Sequence, residues 1–170
     1  MEIKRDLYLN KLIMSMHNGM IKIVTGIRRC GKSYLLFNLF SDYLKSQGVD
    51  EGHIIKVDLE DRRNKKLRNP DALLEYIDAH ITKEGMHYVM LDEVQWVEEF
   101  EDVLNSYLKI PNVDVYVTGS NSKFLSSDVI TEFRGRGDEI KVAPLSFSEY
   151  FSVFNGSKQE AMEEYLTFGG

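Results

Sequence analysis

Residues 26 to 33 read Gly-Ile-Arg-Arg-Cys-Gly-Lys-Ser, directly after the apolar run Met20-Ile21-Lys22-Ile23-Val24 and directly before Tyr34-Leu35-Leu36-Phe37. An apolar strand that feeds a glycine-containing turn, which in turn opens a helix, leaves few choices of fold. Such a turn aims backbone N–H groups and the positive end of a helix dipole at one point, the arrangement that holds a polyphosphate. Gly26 and Gly31 permit the turn, and Ile27, Arg28, Arg29 and Cys30 form its arc. Lys32 and Ser33 supply a cation and a metal-ligating hydroxyl, and Tyr34 starts the helix. The bland alternative is a tight strand-to-helix turn that happens to carry Lys-Ser, and the flanking elements weigh against it.

The rest of the chain alternates apolar strand-like runs with amphipathic stretches, the pattern of a parallel sheet covered by helices on both faces. Strands are expected at Met20–Thr25, His53–Leu59, Tyr88–Leu91, Val113–Thr118 and Glu139–Val142. Helices are expected at Gly31–Gln47, Pro70–Thr82, Val97–Leu108 and briefly near Lys123–Ser126. Pro70 with Asn69 before it is a helix start, and Leu73, Leu74, Ile77 and Ile81 give that helix an apolar stripe that is core. Residues 1–19 read as an N-terminal helical segment that could lie over a nucleotide base. Residues 20–144 form the nucleotide-binding core of a single domain spanning 1–170, and residues 145–170 begin a C-terminal helical region. That region stops at Thr167-Phe168-Gly169-Gly170 without a closing element, so a continuation is expected.

Hydrolysis needs more than a phosphate loop. His87-Tyr88-Val89-Met90-Leu91-Asp92-Glu93 is an apolar strand ending in two acids. Asp92 is placed to hold Mg²⁺ through a water, with Ser33 on the ion directly and Lys32 on the β and γ phosphates. Glu93 is placed to polarise the attacking water as general base. A strand-terminal Asp-Glu also serves as a helix cap, but that reading recedes after such a loop. The fourth strand ends Thr118-Gly119-Ser120-Asn121-Ser122 and would deliver Ser120 or Asn121 to the γ-phosphate and the water; ordinary loop polarity is the alternative. In Phe133-Arg134-Gly135-Arg136-Gly137 either arginine could stabilise developing phosphate charge, in cis or across a subunit interface. Arg136 is the favoured one, against simple exposure or an ion pair with Asp138 or Glu139. Arg5 and Tyr8 are the candidates for the base pocket. Arg28 and Arg29 divide between loop stabilisation and contact with phosphates or a partner.

Composition narrows the partners. A net charge of −6 argues against a chain whose main task is gripping a nucleic-acid backbone. The run Arg62-Arg63-Asn64-Lys65-Lys66-Leu67-Arg68 is basic, and its simplest reading is a solvated loop after the second strand. No stretch approaches a membrane span and Met1–Asp6 lacks the apolar core of a signal peptide, so a cytoplasmic protein is expected. One cysteine, Cys30, excludes an internal disulfide, and His17, His53, His80 and His87 lack metal-ligand spacing.

With these pieces assembled, the chain resembles the AAA-type ATP-binding proteins of bacteria and archaea that carry a G-I-R-R-C-G-K-S loop and a C-terminal domain of unknown function. The resemblance rests on Ile23–Ser33, Leu91-Asp92-Glu93, Thr118–Ser122 and Gly135-Arg136 followed by Val142-Ala143-Pro144-Leu145-Ser146-Phe147-Ser148-Glu149-Tyr150. No nucleotide chemistry demands that last string, which reads as a mark of lineage. The resemblance implies a three-layer α/β/α P-loop fold with strand order 5-1-4-3-2, ATP or ADP with Mg²⁺ as cofactors, Glu93 as acid-base residue, and a C-terminal region beyond this chain. The expected function is Mg²⁺-dependent ATP binding and hydrolysis driving a conformational or assembly change in a larger protein, with self-association possible. A nucleotide switch with little turnover and, more remotely, a small-molecule phosphotransferase are the alternatives. The absence of an N-K-x-D guanine-reading motif favours ATP over GTP.

Overall fold

The computed structural model describes residues 3–82, 84–120, 133 and 135–168. The chain enters with α1 (Asp6–Ser15) and β1 (Ile21–Thr25). Next comes α2 (residues 32–46), in which Leu35–Phe40 is wound as a π-helix between two α-helical pieces. Then follow β2 (Ile54–Asp58), α3 (Pro70–His80), β3 (His87–Asp92) and α4 (Phe100–Tyr107). The described chain ends with β4 (Val113–Gly119), β5 (Gly137–Lys141), α5 (Phe147–Phe151) and α6 (Lys158–Phe168). The five strands form one parallel sheet in the order β2-β3-β4-β1-β5, the expected order read from the other edge.

Alternation along buried strands sorts the core into two layers. Ile21, Ile23, Ile55, Val57, Val89, Leu91, Val115 and Val117 face α3 and α4, where Leu73, Ile77, Phe100, Val103 and Leu104 complete that side. Val24, Ile54, Tyr88, Met90, Tyr116 and Ile140 face the opposite side, against Tyr8 and Leu12 of α1 and Leu35, Leu36, Leu39, Phe40 and Leu44 of α2. Each such aliphatic or aromatic side chain contributes about 1.5–3 kcal/mol on burial, which makes the sheet a rigid base for the loops at its edge.

The details differ from the sequence expectation in instructive places. The 31–47 helix is not regular, because its central turns widen into the π-helical segment. The basic run is ordered: Arg62–Arg68 forms 3-10 turns, capped by Asp61 accepting from the Arg63 N–H and tied back by Arg68 donating to the carbonyls of Leu59 and Glu60. A 3-10 turn at Val94–Trp96 precedes α4, which starts at Phe100 and not Val97. Asn69 caps α3 as expected, its Oδ1 accepting from the Ala72 N–H at 3.1 Å. The tail forms two helices, and the short helix expected near Lys123–Ser126 lies outside the described residues. Among the described residues no helix is long and apolar enough to cross a membrane.

Because every strand runs the same way, the sheet has two chemically distinct ends. At the N-terminal ends of the strands, buried Lys22 pairs with Asp114, which also accepts from the Tyr116 hydroxyl and the His17 backbone N–H. Burial lowers the Lys22 pKa, and Asp114 counters that shift. This network pins the turn between α1 and β1. The C-terminal ends carry the phosphate loop and everything described next.

Candidate active site

Thr25, Asp58, Asp92, Gly119 and Lys141 end their strands along one edge of the sheet, so the loops after them converge there. The strand order sets β4 between β1 and β3, which brings the residues after Gly119 between the phosphate loop and the acidic pair. This is the crevice beyond the carboxyl ends of strands where open α/β sheets place ligands.

The loop itself is shaped by two glycines. A Cβ on Gly26 would lie 2.5 Å from the Val142 carbonyl oxygen and 2.7 Å from Cys30 Sγ, so no larger residue fits. Gly31 has φ +91° and starts α2 from the left-handed region. Lys32 is buried and its ammonium donates to the carbonyls of Gly26 and Ile27 at 3.0 and 2.8 Å, closing the loop on itself. Cys30 is buried in the α1/α2 layer. Arg28 reaches out to Glu60 at 2.6 Å, while Arg29 holds φ +67° at the top of the turn.

Ser33 and Asp92 meet across the crevice: the Ser33 hydroxyl lies 2.8 and 2.7 Å from the two Asp92 oxygens. Thr118, which opens the string Thr118–Ser122 at the end of the fourth strand, locks this pair. Its hydroxyl lies 2.5 Å from Asp92 Oδ1 and accepts from the Glu93 N–H at 2.9 Å. The signal was present, since a threonine at the end of a central buried strand must hydrogen-bond to something. Burial pushes the Asp92 carboxyl up from its ordinary value, with Glu93 and Asp58 adding to the rise and Thr118 and Ser33 opposing it. A buried carboxylate beside a hydroxyl, with no ion pair among the described residues, is an all-oxygen donor set short of positive charge. Those donors suit Mg²⁺, which Ser33 and Asp92 would hold.

That shortage of charge has a sign. A carboxyl whose folded pKa is raised contributes stability below its unfolded pKa and loses it as pH rises through the folded value, so ionised Asp92 opposes folding at neutral pH. The Asp92→Asn protein is therefore expected to melt at a higher temperature than wild type at pH 7. The gain should vanish below about pH 4, where Asp92 is protonated in both states. Thermal melts of the two proteins across pH check this.

Glu93 follows Asp92 in a left-handed conformation, φ 54° and ψ 54°, which turns its side chain out of the strand into the crevice. Its carboxylate accepts from the Ser120 hydroxyl at 3.0 and 2.8 Å and from the Gln95 amide. Ser120 thus touches the acid expected to activate water. A cavity of about 290 Å³ opens here, lined by Arg28, Glu60, Glu93, Gln95, Trp96 and Ser120. On the other side of the loop a cavity of about 360 Å³ is lined by apolar and cationic groups that include Ile3, Arg5, Cys30, Tyr34 and Leu145. The two cavities flank the loop.

Two expectations are corrected by geometry. Tyr8 does not line the second cavity; its ring packs under Arg5, 4.6 Å from the guanidinium, and its hydroxyl accepts from the Ala143 N–H. Arg5 does line it, but its main contacts are structural: the carbonyls of Cys30 and Ala143 at 2.7 and 2.9 Å, and Glu149 at 3.1 Å. Arg136 lies at the wrong end of the sheet for a role in cis. Ile21 pairs with Gly137, and the Arg136 carbonyl accepts from the Ile21 N–H. That places the Arg136 backbone about 17 Å of strand away from the phosphate loop at the far end of β1. Asn121 and Arg134 lie outside the described residues.

The string after β5 also gains a reason. Ser146 and Glu149 form a reciprocal helix cap on α5, and Glu149 then pairs with Arg5, so the segment is fastened to the phosphate loop.

The sequence profile of a family described as AAA domain matches residues 18–151. An uncharacterized protein of Haemophilus influenzae is 32% identical over 174 residues, covering 99% of this chain and 43% of its own length. An uncharacterized protein of Methanocaldococcus jannaschii is 29% identical over 162 residues, covering 88% and 35% respectively. The chain spans less than half the length of these curated relatives. Among solved structures, the DNA polymerase III gamma subunit-related protein of Thermotoga maritima aligns with a TM-score of 0.61 at 12% identity, covering 94% of this chain and 54% of that one. The Aeropyrum pernix ORC1 protein, solved in complex with DNA, aligns with a TM-score of 0.57 at 13% identity, covering 96% and 50%. At such identities the likeness is one of fold, a P-loop α/β domain.

Proposed function

We propose, from the premise that this chain belongs to the AAA domain family, that it binds ATP with Mg²⁺ and hydrolyses it, coupling the cycle to a conformational or assembly change in a larger protein. Membership supports nucleotide binding by a P-loop ATPase domain; the roles of individual residues are our reading. The observation that carries it is the convergence of the phosphate loop, the Ser33–Asp92 pair and the Glu93 carboxylate on one crevice at the strand ends. Lys32 and the first N–H groups of α2 receive the phosphates, since a helix start leaves its first donors without partners. Lys32 exchanges two loop carbonyls for phosphate oxygens when it does so. Mg²⁺, when bound, neutralises phosphate charge, with Ser33 and Asp92 as its protein ligands. Glu93 takes a proton from the attacking water, and Ser120 keeps the carboxylate facing the γ-phosphate side. The base lies against Ile3, Tyr34 and Leu145.

The position of Arg136 weighs against action on its own site, and the role we propose for it is on the site of another copy. Trp96, the chain's one tryptophan, borders the Glu93 cavity half-exposed, so its emission can follow binding. Titration with Mg-ATP, Mg-ADP and Mg-GTP, by calorimetry and by Trp96 emission, tests the reading. ATP and ADP are expected to bind in preference to GTP, and Lys32→Ala to weaken ATP about 10- to 100-fold, the worth of a charge-assisted contact. Absence of nucleotide binding by the wild-type protein would sink it.

A further inference from the structure

We propose that Gln95 is a positioning residue for hydrolysis: its amide N–H fixes the Glu93 carboxylate so that one oxygen is left to receive the proton of the attacking water. The inference rests on the proposed role of Glu93 and names a residue which that role does not require. Gln95 lies in the 3-10 turn Val94–Trp96, closed by the Trp96 N–H donating to the Glu93 carbonyl at 3.2 Å and the Val97 N–H donating to the Val94 carbonyl at 3.0 Å. Val94 and Val97 are buried in the core on the α3/α4 side, and Trp96 is stacked under Arg68 at 4.2 Å. With its neighbours anchored, the Gln95 side chain is directed back over residue 93, where Nε2 donates to Glu93 Oε2.

The other half of the amide plays no such part. Gln95 Oε1 is buried and has no hydrogen-bond partner among the described residues. The carbonyl half of the side chain therefore makes no hydrogen bond to them that would select a glutamine here, and the amide N–H is the half that is used. What the placement gains is a charge-assisted bond to a carboxylate whose other donor is Ser120. Two donors from different elements, the 3-10 turn and the end of β4, define the plane of the carboxylate as neither does alone. Both residues line the same cavity as Glu93.

Steady-state hydrolysis of Mg-ATP by wild type, Gln95→Glu, Gln95→Met, Glu93→Gln and the Glu93→Gln/Gln95→Met double variant tests this. Gln95→Glu keeps the shape and loses the donor; Gln95→Met keeps the volume in case the acid disturbs folding. The expected result is a fall in kcat of about 10- to 100-fold with KM within about twofold, the scale of a misplaced catalytic group. In the Glu93→Gln background Gln95→Met should cost nothing further, because the two residues act as a unit. Wild-type kcat in both single variants, a change confined to KM, or additive losses in the double variant would overturn the proposal while leaving Glu93 in its role. A wild-type protein without Glu93-dependent turnover would overturn the proposed hydrolysis and the role of Gln95 with it, so the wild-type rate separates the two failures.

Discussion

Glu93→Gln protein incubated with Mg-ATP is expected to retain ATP, where wild type retains ADP, and to turn over about 10²- to 10⁴-fold more slowly, the usual contribution of a positioned general base. The amide is isosteric with the carboxylate and can still accept from one of the two donors that hold it. The Ser120 hydroxyl can reverse its role and accept, so the crevice should keep its shape. Asp92, Ser33 and Lys32 are untouched, and Mg-ATP affinity should remain near wild type. Chromatography of the nucleotide released on denaturation checks the prediction. Bound ADP in the variant at the wild-type level would remove Glu93 from the chemistry.

Arg5→Ala carries the largest expected effect on the fold. Arg5 is 5% exposed and joins four segments: its own N-terminal helix, the phosphate loop through Cys30, the exit of β5 through Ala143, and α5 through Glu149. Truncation removes the Arg5 donors from two carbonyls and leaves the Glu149 carboxylate with the Ser146 N–H but no cation. We expect a loss of about 3 kcal/mol, the lower range for breaking a buried pair because Glu149 is partly exposed. That corresponds to a fall in Tm of roughly 6–12 °C. Burial raises the Glu149 pKa, but Ser146 and Arg5 outweigh it and the net shift is downward. Its contribution is therefore present above the ordinary glutamate value and is lost as pH falls through the lower folded one. The gap between wild type and variant should narrow in acid. Arg5→Lys should recover only part of the loss, since one ammonium cannot reproduce the fork to two carbonyls and a carboxylate. Denaturation midpoints across pH check this, and an unchanged midpoint for Arg5→Ala at neutral pH would show that the clamp contributes nothing.

The parts legible in the sequence are those whose chemistry is local. The phosphate loop is a contiguous string with its own strand and helix, and an apolar strand ending in Asp92-Glu93 announces itself in the same way. Alternation of strands and helices gave the layers, and the family resemblance gave the strand order. What the sequence hid depends on distant partners. Arg5 reads in the sequence as a candidate for the base pocket, and only the fold brings it to Cys30, 25 positions on, and to Glu149, 144 positions on. Arg136 reads as an arginine able to act in cis or across an interface until the register of β5 on β1 sets it at the end of the sheet away from its own phosphate loop. Thr118 and Gln95 are ordinary strand and turn residues until β4 inserts beside β3 and the 3-10 turn folds back over Glu93. The Ser146–Glu149 string looked like lineage because its cap and its ion pair are invisible until α5 is docked.

Phosphate release from saturating Mg-ATP, measured over a series of protein concentrations with Glu93→Gln alongside, decides whether ATP is hydrolysed at this crevice. Release is expected to depend on Glu93, with a specific rate that rises with concentration if Arg136 of one copy acts on the site of another. Release by the wild-type protein no faster than by Glu93→Gln at every concentration would contradict hydrolysis there.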